Sequence, residues 1–283
     1  MILGYFSNLY STNHPSSFNA CLSAVTARVT YEMNCELLRA FREEEIRLAL
    51  NQMHPTKAPS PNDVSPIFFE KYWDVVGQSV LSYVNKILNI GVMPKGLNET
   101  YICLIPKVDC LQKVTEFKPI SLCNVVYKIV FKVLANRLKK ILPAVIDESQ
   151  SAFVPGRQIT NNVLVAIKTM HCIDQRRKGN KRLMTMKLGM SKAYDRVEWA
   201  LMKAIMMRLG FHERWIMLIM MCVSTVSYSM LINGELKGNI ILTRGFSQGD
   251  PISPYLFLLC AEGLTAMLQR EEREGLISGI LVC

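Results

Sequence analysis

The sequence has no hydrophobic run long enough to span a lipid bilayer. Its longest apolar candidates are Ile216 to Val223 and Tyr255 to Ala261, far short of the roughly 20 residues that a membrane helix requires. The N-terminus, MILGYFSNLYSTNH, lacks the basic start and the long apolar stretch of a secretory signal. We therefore expect an intracellular protein with no membrane partner.

Patterns typical of metal sites and disulfide frameworks are also missing. The nine cysteines form no CxxC pair, and Cys103, Cys110 and Cys123 have no histidine at metal-ligand spacing. We interpret the cysteines as reduced, mostly buried thiols. Internal repeats and low-complexity tracts are absent. A composition of 50% hydrophobic and 20% charged residues indicates a globular chain of one large domain or two small ones.

Acidic residues are scarce relative to basic ones. The chain has 33 Lys and Arg against 23 Asp and Glu, which gives a formal net charge of +10. A surplus of this size suggests a polyanionic partner such as nucleic acid, and a merely solvated basic surface is the alternative.

Hydrophobic periodicity predicts several helices and a few short strands. Asn233-Gly234 is the strongest hairpin signal, because it separates the apolar runs Tyr228 to Ile232 and Ile240 to Thr243. The interleaving of strands and helices favours a mixed α/β fold with helices packed on one sheet. The pattern predicts helices over residues 28–53 (capped by Thr30), 67–89, 124–142, 158–174, 198–209 and 253–274, strands over 100–105 and 184–190, and a loop over 57–63.

The segment RGFSQGDPISPYLF, residues 244–257, contains candidate ligand-binding residues. Gly245 and Gly249 permit close approach of the backbone to a ligand, and Gln248 offers a side-chain amide between them. A glycine-rich turn at a helix N-terminus can hold a base-pair or phosphate edge. A tight turn followed by a helix cap is the alternative explanation.

Three further segments carry turn or basic residues. LGMSKAYDRVEW (188–199) is predicted to be a strand end that opens into a helix, with Tyr194 and Asp195 at the turn. FKPISLCNVVYKIVFKVLANRLKK (117–140) begins with Lys118 beside a proline and continues as a basic helix. Phosphate contact and a solvated face are both open explanations for the basic side chains. These side chains are Lys128, Lys132, Arg137, Lys139 and Lys140 on that helix and Arg157 in SQSAFVPGRQITNN (149–162).

These four blocks, in this order and at these spacings, resemble the reverse transcriptase of non-LTR (LINE-type) retrotransposons, most like the copies abundant in plant genomes. The resemblance extends from EEEIRLALNQMHPTKAP through LIPK to QGDPISPYLFLLCAEGL. It implies an α/β (α+β) fold, that of the fingers and part of the palm of a right-hand polymerase. On this resemblance, residues 1–55 are an N-terminal helical extension, residues 56–180 a fingers-like part and residues 181–283 a partial palm. The family's work is nuclear.

The resemblance implies an RNA-directed DNA polymerase that acts by two-metal nucleotidyl transfer. Such enzymes use Mg²⁺ ions held by palm aspartates. Gly189 occupies the position of one of these aspartates, and the family's aromatic-Ala-Asp-Asp turn has no counterpart in these 283 residues. We therefore expect a decayed or truncated copy with no intact catalytic residue, no bound Mg²⁺ and no polymerase activity on its own. Asp195 matches a different family aspartate, and we expect it to cap a helix.

The resemblance also assigns binding residues. Tyr194 matches the aromatic residue that packs under the sugar of the incoming nucleotide. Lys118 stands where the family usually has a triphosphate-contacting arginine, and lysine lacks the bidentate fork of arginine. Gln248 and Gly249 match the segment that lines the nucleotide and template pocket, and Arg244 is assigned with them. The partners that the resemblance implies are an RNA template and a DNA primer. Basic character, and not the resemblance, makes a further set of residues candidates for contact with a nucleic-acid backbone: Lys128, Lys132, Arg137, Lys139, Lys140 and Arg157.

Two other interpretations of the whole chain stay open. One is a non-catalytic remnant that binds RNA or an RNA–DNA duplex through phosphates. The other is a pseudogene product without function. In that case strand 184–190 would lack neighbours, and an uncovered apolar sheet together with the positive mean hydropathy of +0.17 would favour aggregation.

Overall fold

The computed structural model describes residues 2–15, 17–55, 64–175, 184–247 and 249–279, and it contains a four-stranded sheet. The strands are β1 (Glu99–Pro106), β2 (Phe117–Leu122), β3 (Ser227–Ile232) and β4 (Glu235–Ile241). The helices are α1 (Ile2–Tyr10), α2 (Asn19–Ala24), α3 (Tyr31–Leu38), α4 (Glu43–Asn51), α5 (Pro66–Lys71), α6 (Trp73–Ile90), α7 (Val125–Val145), α8 (Ile159–Gln175), α9 (Trp199–Leu209), α10 (Glu213–Ser224) and α11 (Ser253–Arg273).

The sheet is mixed, with strand order β2-β1-β3-β4. β1 pairs antiparallel with β2 and parallel with β3, and β3 pairs antiparallel with β4. The turn between β3 and β4 has positive φ at both Asn233 and Gly234, which is the backbone that a two-residue hairpin of type I′ requires. The predicted hairpin and the predicted mixed α/β fold are confirmed.

Two hydrophobic cores hold the elements together. The larger one joins α7 and α10 to α6, α9 and α11 and includes the fully buried Trp215 and Phe131. It draws on all three ranges that the sequence predicts as separate parts. The smaller core lies against the sheet. There the rings of Tyr228 and of Tyr10 from α1 form a T-shaped pair with their centroids 5.1 Å apart.

The predicted helix over residues 28–53 is two helices, α3 and α4. Thr30 caps α3 as predicted, because its side chain accepts a hydrogen bond from the backbone N–H of Met33 at 3.3 Å. The break comes at residues 39–42, where the guanidinium of Arg137 binds the carbonyl oxygens of Arg39 and Ala40. A side chain from α7 therefore satisfies backbone acceptors that a continuous helix would have used internally.

The predicted strand over residues 184–190 is wrong. None of the strands in the described part of the chain pairs with this segment, and its residues are exposed. A strand needs a neighbour that supplies its backbone hydrogen bonds, so an apolar pattern alone does not create one. β2 was not predicted as a strand; it forms because β1 supplies that neighbour. The predicted loop over 57–63 lies outside the described residues.

The other long helices were predicted correctly to within a few residues, namely α7, α8, α9 and α11. The predicted helix over 67–89 corresponds to α5 and α6, which meet at Tyr72. Across the residues that the structure describes, no helix has both the length and the apolar character needed to cross a membrane.

Candidate nucleotide pocket

A cavity of about 510 Å³ lies between β2, the first turn of α7 and the turn that precedes α11. Its walls include Lys118, Tyr194 and Gly249, three residues to which the family resemblance gives nucleotide or template contacts, and Lys128 of the basic helix. These residues come from three sequence blocks, so only the tertiary fold brings them together. We call this cavity the nucleotide pocket.

A second cavity of about 330 Å³ shares Lys118 and Tyr194 with the nucleotide pocket. It adds Lys107 and Lys192 to the walls. The amino groups around the two cavities give this side of the molecule a positive potential, which suits an anionic ligand such as a phosphate chain. Sequence reasoning missed Lys107. Lys107 directly follows β1 and lies opposite β2, and this position was the signal that could have identified it.

The ring of Tyr194 is held between these cavities by an aromatic neighbour. Phe257 of α11 stacks on it with a centroid distance of 4.7 Å and an interplanar angle of 13°. Burial raises the pKa of the Tyr194 hydroxyl, which is therefore neutral at physiological pH. Stacked aromatic pairs of this kind restrict ring motion and add stability beyond area burial. Phe257 is a second residue that sequence reasoning missed.

Residues 194–197, which we call the Tyr194 turn, are joined by backbone hydrogen bonds to the segment before α11. The N–H of Gly245 donates to the carbonyl of Val197 at 2.8 Å, and the N–H of Phe246 donates to the carbonyl of Tyr194 at 3.0 Å. Gly245 has φ +85°, and a Cβ atom there would lie 2.6 Å from the carbonyl oxygen of Asp195. Only glycine fits both the backbone conformation and the close approach.

Asp250 forms the buried end of the nucleotide pocket. Its carboxylate accepts hydrogen bonds from the hydroxyl of Tyr127 at 2.9 Å and from the thiol of Cys123 at 3.4 Å. Ser247, on the same turn, shares a 2.6 Å hydrogen bond with the hydroxyl of Tyr228 on β3. Burial is the largest influence on this carboxyl, and it raises the pKa of Asp250 to about 6. Sequence reasoning had treated this turn for its glycines and missed the aspartate.

The sequence of this chain matches a known family. The family model for the reverse transcriptase (RNA-dependent DNA polymerase) matches residues 105–279. The chain belongs to the reverse transcriptase family. Its relatives place it with the non-LTR retrotransposon type, and its mixed α/β fold is that expected for such a domain.

Three relatives illustrate the similarity. The "Transposon TX1 uncharacterized 149 kDa protein" of Xenopus laevis is 27% identical over 96% of this chain and 21% of that protein. The Pol polyprotein of the type-2 retrotransposable element R2DM of Drosophila melanogaster is 23% identical over 82% of this chain and 21% of that protein. An uncharacterized mitochondrial protein of Arabidopsis thaliana is 46% identical over 18% of this chain and 43% of that protein. The chain thus spans about a fifth of the length of the first two.

Position 189 of this reverse transcriptase chain is exposed and open. A Cβ atom added at Gly189 would meet no atom within 4 Å. The next residue, Met190, lines the second cavity together with Lys118 and Tyr194. The position where the family resemblance leads us to expect an aspartate is therefore next to the lysine-lined cavity and has room for a side chain.

Asp195 does not cap a helix, so that prediction is wrong. Asp195 lies inside a 3₁₀ turn over Tyr194–Arg196. The helix α9 begins later, at Trp199, with Glu198 as its cap residue. Asp195 is instead buried, with its carboxylate 4.0 Å from the amino group of Lys192. Burial raises the pKa of Asp195, and the charge of Lys192 opposes that rise.

Reverse transcriptases use Mg²⁺, but the carboxylates near the pocket do not fit that ion. The oxygens of Asp250 accept hydrogen bonds from Tyr127 and Cys123, and Asp195 faces Lys192. Within the part of the chain that the structure describes, no group of three or more His, Cys, Asp or Glu side chains is arranged to hold a metal ion. Hard cations need several free oxygen ligands at one point, so no catalytic step can be assigned through a metal here.

Arg137, from the basic set, lies in the interior. Its guanidinium forms a bidentate pair with Glu45 at 2.8 and 3.1 Å and stacks 3.7 Å from the ring centre of Phe41. It also donates to the carbonyl oxygens of Leu37, Arg39 and Ala40. Burial opposes ionisation of Glu45, but the hydrogen bonds and charge of Arg137 outweigh it and lower the pKa of that carboxyl.

Arg157 and Arg244 also have internal partners. Arg157 donates to four carbonyl oxygens around the end of α7, among them those of Gln150 at 2.7 Å and Ile146 at 2.9 Å. Arg244 is buried and donates to the carbonyl of Leu9, at the end of α1, at 3.0 Å. It also pairs with Glu198 at 3.3 Å. These contacts hold chain segments together.

The lysines of the basic helix divide by position. Lys139 and Lys140 are exposed, whereas Lys128 and Lys132 are half-buried. Lys118 is exposed at the mouth of the nucleotide pocket. Gln248 lies outside the described residues.

Proposed function

We propose that this chain is the nucleotide- and template-binding part of a non-LTR retrotransposon reverse transcriptase, and that these 283 residues alone bind nucleotide without polymerising it. The observation that supports this is the convergence of Lys118, Tyr194 and Gly249 on one cavity beside an open glycine at position 189.

Each wall of the nucleotide pocket has a proposed task. Lys118 and Lys107 attract the phosphate chain as point charges. Tyr194, fixed by Phe257, faces the sugar and disfavours a 2′-hydroxyl. Gly249, at φ +113°, allows the base or the template to approach the backbone.

Nucleotide binding tests this assignment. Calorimetry with a deoxynucleoside triphosphate, in the presence of a chelator, is expected to show binding that Lys118→Met weakens by about fivefold, the loss of one charge-assisted contact. The matched control is Lys203→Met, because Lys203 is an exposed lysine of α9 that lines neither cavity. Equal affinities of Lys118→Met and the unaltered chain would contradict the proposal.

Primer extension tests the second half of the proposal. We expect the purified chain to add no nucleotide to a DNA primer on an RNA template with Mg²⁺, because Gly189 supplies no carboxylate and the sequence contains no Asp-Asp pair. Electrostatic stabilisation by metal carries most of this chemistry. Detectable Mg²⁺-dependent extension overturns the proposed inactivity.

A second candidate function is salt-sensitive binding of an RNA–DNA duplex. It is favoured by the net charge of +10 and by the exposed Lys139 and Lys140 on α7. The slope of log affinity against log salt, which is negative, is expected to become less steep by about 2 when both lysines are changed to alanine, about one for each phosphate contact. An affinity that does not change between low and moderate salt eliminates this function.

A further inference from the structure

Asp250 is a charged group in the wall of a cavity proposed for an anionic ligand. It lines the nucleotide pocket together with Lys118 and Lys128, and its side chain is buried. A carboxylate in this position opposes a phosphate chain in the same cavity, because like charges close together in a poorly hydrated region repel strongly. Nothing in the proposed binding function uses it.

The hydrogen bond between Asp250 and Tyr127 is compatible with either protonation state of Asp250. The carboxylate accepts from the hydroxyl of Tyr127, and Ser247 on the same turn is linked to the hydroxyl of Tyr228. Hydroxyl groups can donate or accept. A protonated Asp250 can therefore donate to the Tyr127 oxygen where the ionised form accepted, and the contact survives.

We infer that Asp250 is a specificity-determining residue that links proton uptake to anion binding in the nucleotide pocket: the ionised carboxylate weakens binding of a phosphate-bearing ligand, and the protonated carboxyl permits it. This inference rests on the proposed function, since it concerns the same cavity.

Asp250 changes charge near neutral pH, whereas the titratable groups that face it do not. Burial raises the pKa values of Cys123, Tyr127, Cys222 and Tyr228 above their ordinary values, so these thiols and phenols are neutral below pH 9. Lys128 contributes a nearby positive charge, which lowers the pKa of Asp250 but does not offset burial. With a pKa of about 6, Asp250 is ionised at pH 8 and protonated at pH 5.

The first test compares the full chain with Asp250→Asn, which is neutral at every pH and nearly the same shape. Affinity for inorganic pyrophosphate is measured in chelator at pH 5 and pH 8. Pyrophosphate itself changes its ionisation between pH 5 and pH 8. The ratio of the variant's affinity to that of the unaltered chain, taken at each pH, removes that effect. We expect the variant and the unaltered chain to bind equally at pH 5 and the variant to bind on the order of fivefold more tightly at pH 8.

The second test needs no variant, so it holds even if Asp250→Asn folds poorly. Binding linkage is reciprocal, so bound pyrophosphate must raise the pKa of Asp250 if protonation of Asp250 favours pyrophosphate. The midpoint of the ¹³C carboxyl resonance of Asp250, followed by NMR with and without pyrophosphate, is expected to move upward.

Three outcomes separate the possibilities. A higher midpoint with pyrophosphate, together with an affinity ratio that grows with pH, supports the inference. Binding with a constant ratio and an unmoved midpoint overturns this inference and leaves the proposed nucleotide binding intact. No binding of pyrophosphate or of a deoxynucleoside triphosphate at either pH overturns both.

Discussion

At the scale of single residues, Arg137 shows that basic side chains on one helix can differ in position: some are exposed to solvent, and others are buried with partners inside the fold. The sequence places it in line with Lys139 and Lys140, but the fold directs its guanidinium inward to Glu45 and three carbonyl oxygens. Its planar fork meets several acceptors at once, which lysine cannot do. These contacts favour a structural function for Arg137.

Arg137→Met is expected to lower the free energy of unfolding by about 3–5 kcal/mol, because it leaves the carboxylate of Glu45 and several carbonyl groups without their partner. Urea denaturation followed by circular dichroism measures this. Lys140→Met, a change of the same kind at an exposed position of α7, is the control and should stay within about 0.5 kcal/mol. Similar losses for the two variants would contradict the internal function of Arg137.

The raised pKa of Asp250 predicts a pH dependence of stability. The folded chain binds this proton more tightly than the unfolded chain, because the pKa rises from 3.8 to about 6 on folding. The stabilisation that results is complete below pH 3.8 and is lost as the pH rises through about 6. It corresponds to about 3 kcal/mol.

The comparison with Asp250→Asn isolates this effect, since the other titrating groups are common to both chains. We expect the stability of the unaltered chain relative to the variant to fall between pH 4.5 and pH 7.5 by about 2 kcal/mol, because part of the effect lies below pH 4.5. Urea denaturation at the two pH values is the measurement. A constant difference would show that the carboxyl titrates normally.

At the scale of elements, the Tyr194 turn and the segment leading to α11 behave as one unit. Gly245 is the point of closest approach, with a Cβ position 2.6 Å from a backbone oxygen. Trp199 reinforces the contact by donating its ring N–H to the carbonyl of Gly245 at 2.8 Å. The geometry of the nucleotide pocket therefore depends on a backbone contact outside it.

Gly245→Ala is expected to destabilise the fold by about 2 kcal/mol more than Gly234→Ala. Both glycines have nearly the same φ, +85° and +83°, but Gly234 has no atom within 4 Å of its Cβ position. The pair thus separates the cost of the left-handed backbone, common to both, from the steric clash. Thermal unfolding measures the difference, and equal effects would show that the turn moves apart at no cost.

At the scale of the whole molecule, apolar side chains are exposed along α8 and along residues 184–190. No residue of α8 is buried, and Ile167 and Val163 are more than half exposed. Residues 184–190 are exposed as well, including Met184 at 75%. Surfaces of this kind mark contacts with other protein or an aggregation liability.

We expect the purified chain to self-associate as its concentration rises, and Ile167→Lys to reduce that association without lowering the unfolding temperature, because the side chain is more than half exposed and belongs to neither of the two hydrophobic cores of the described residues. Sedimentation velocity measures the association. Ile167→Val keeps the apolar surface and serves as the control. Unchanged association of Ile167→Lys would place the contact elsewhere.

Local sequence determined the elements whose hydrogen bonds close within one segment or one turn. α7 and α11 follow from 3.6-residue periodicity, the β3–β4 hairpin follows from the positive φ that Asn233-Gly234 adopts, and Thr30 caps α3. The family resemblance also came from contiguous motifs, which need no structure to be recognised.

Tertiary structure decided what depends on a distant partner. The break between α3 and α4 follows from the reach of Arg137 across about 100 residues of sequence. β2 exists because β1 lies beside it, whereas no strand among the described residues lies beside 184–190. Burial likewise decides which basic residues face outward and why the pKa of Asp250 is raised, because charge and pKa depend on the surroundings that folding assembles.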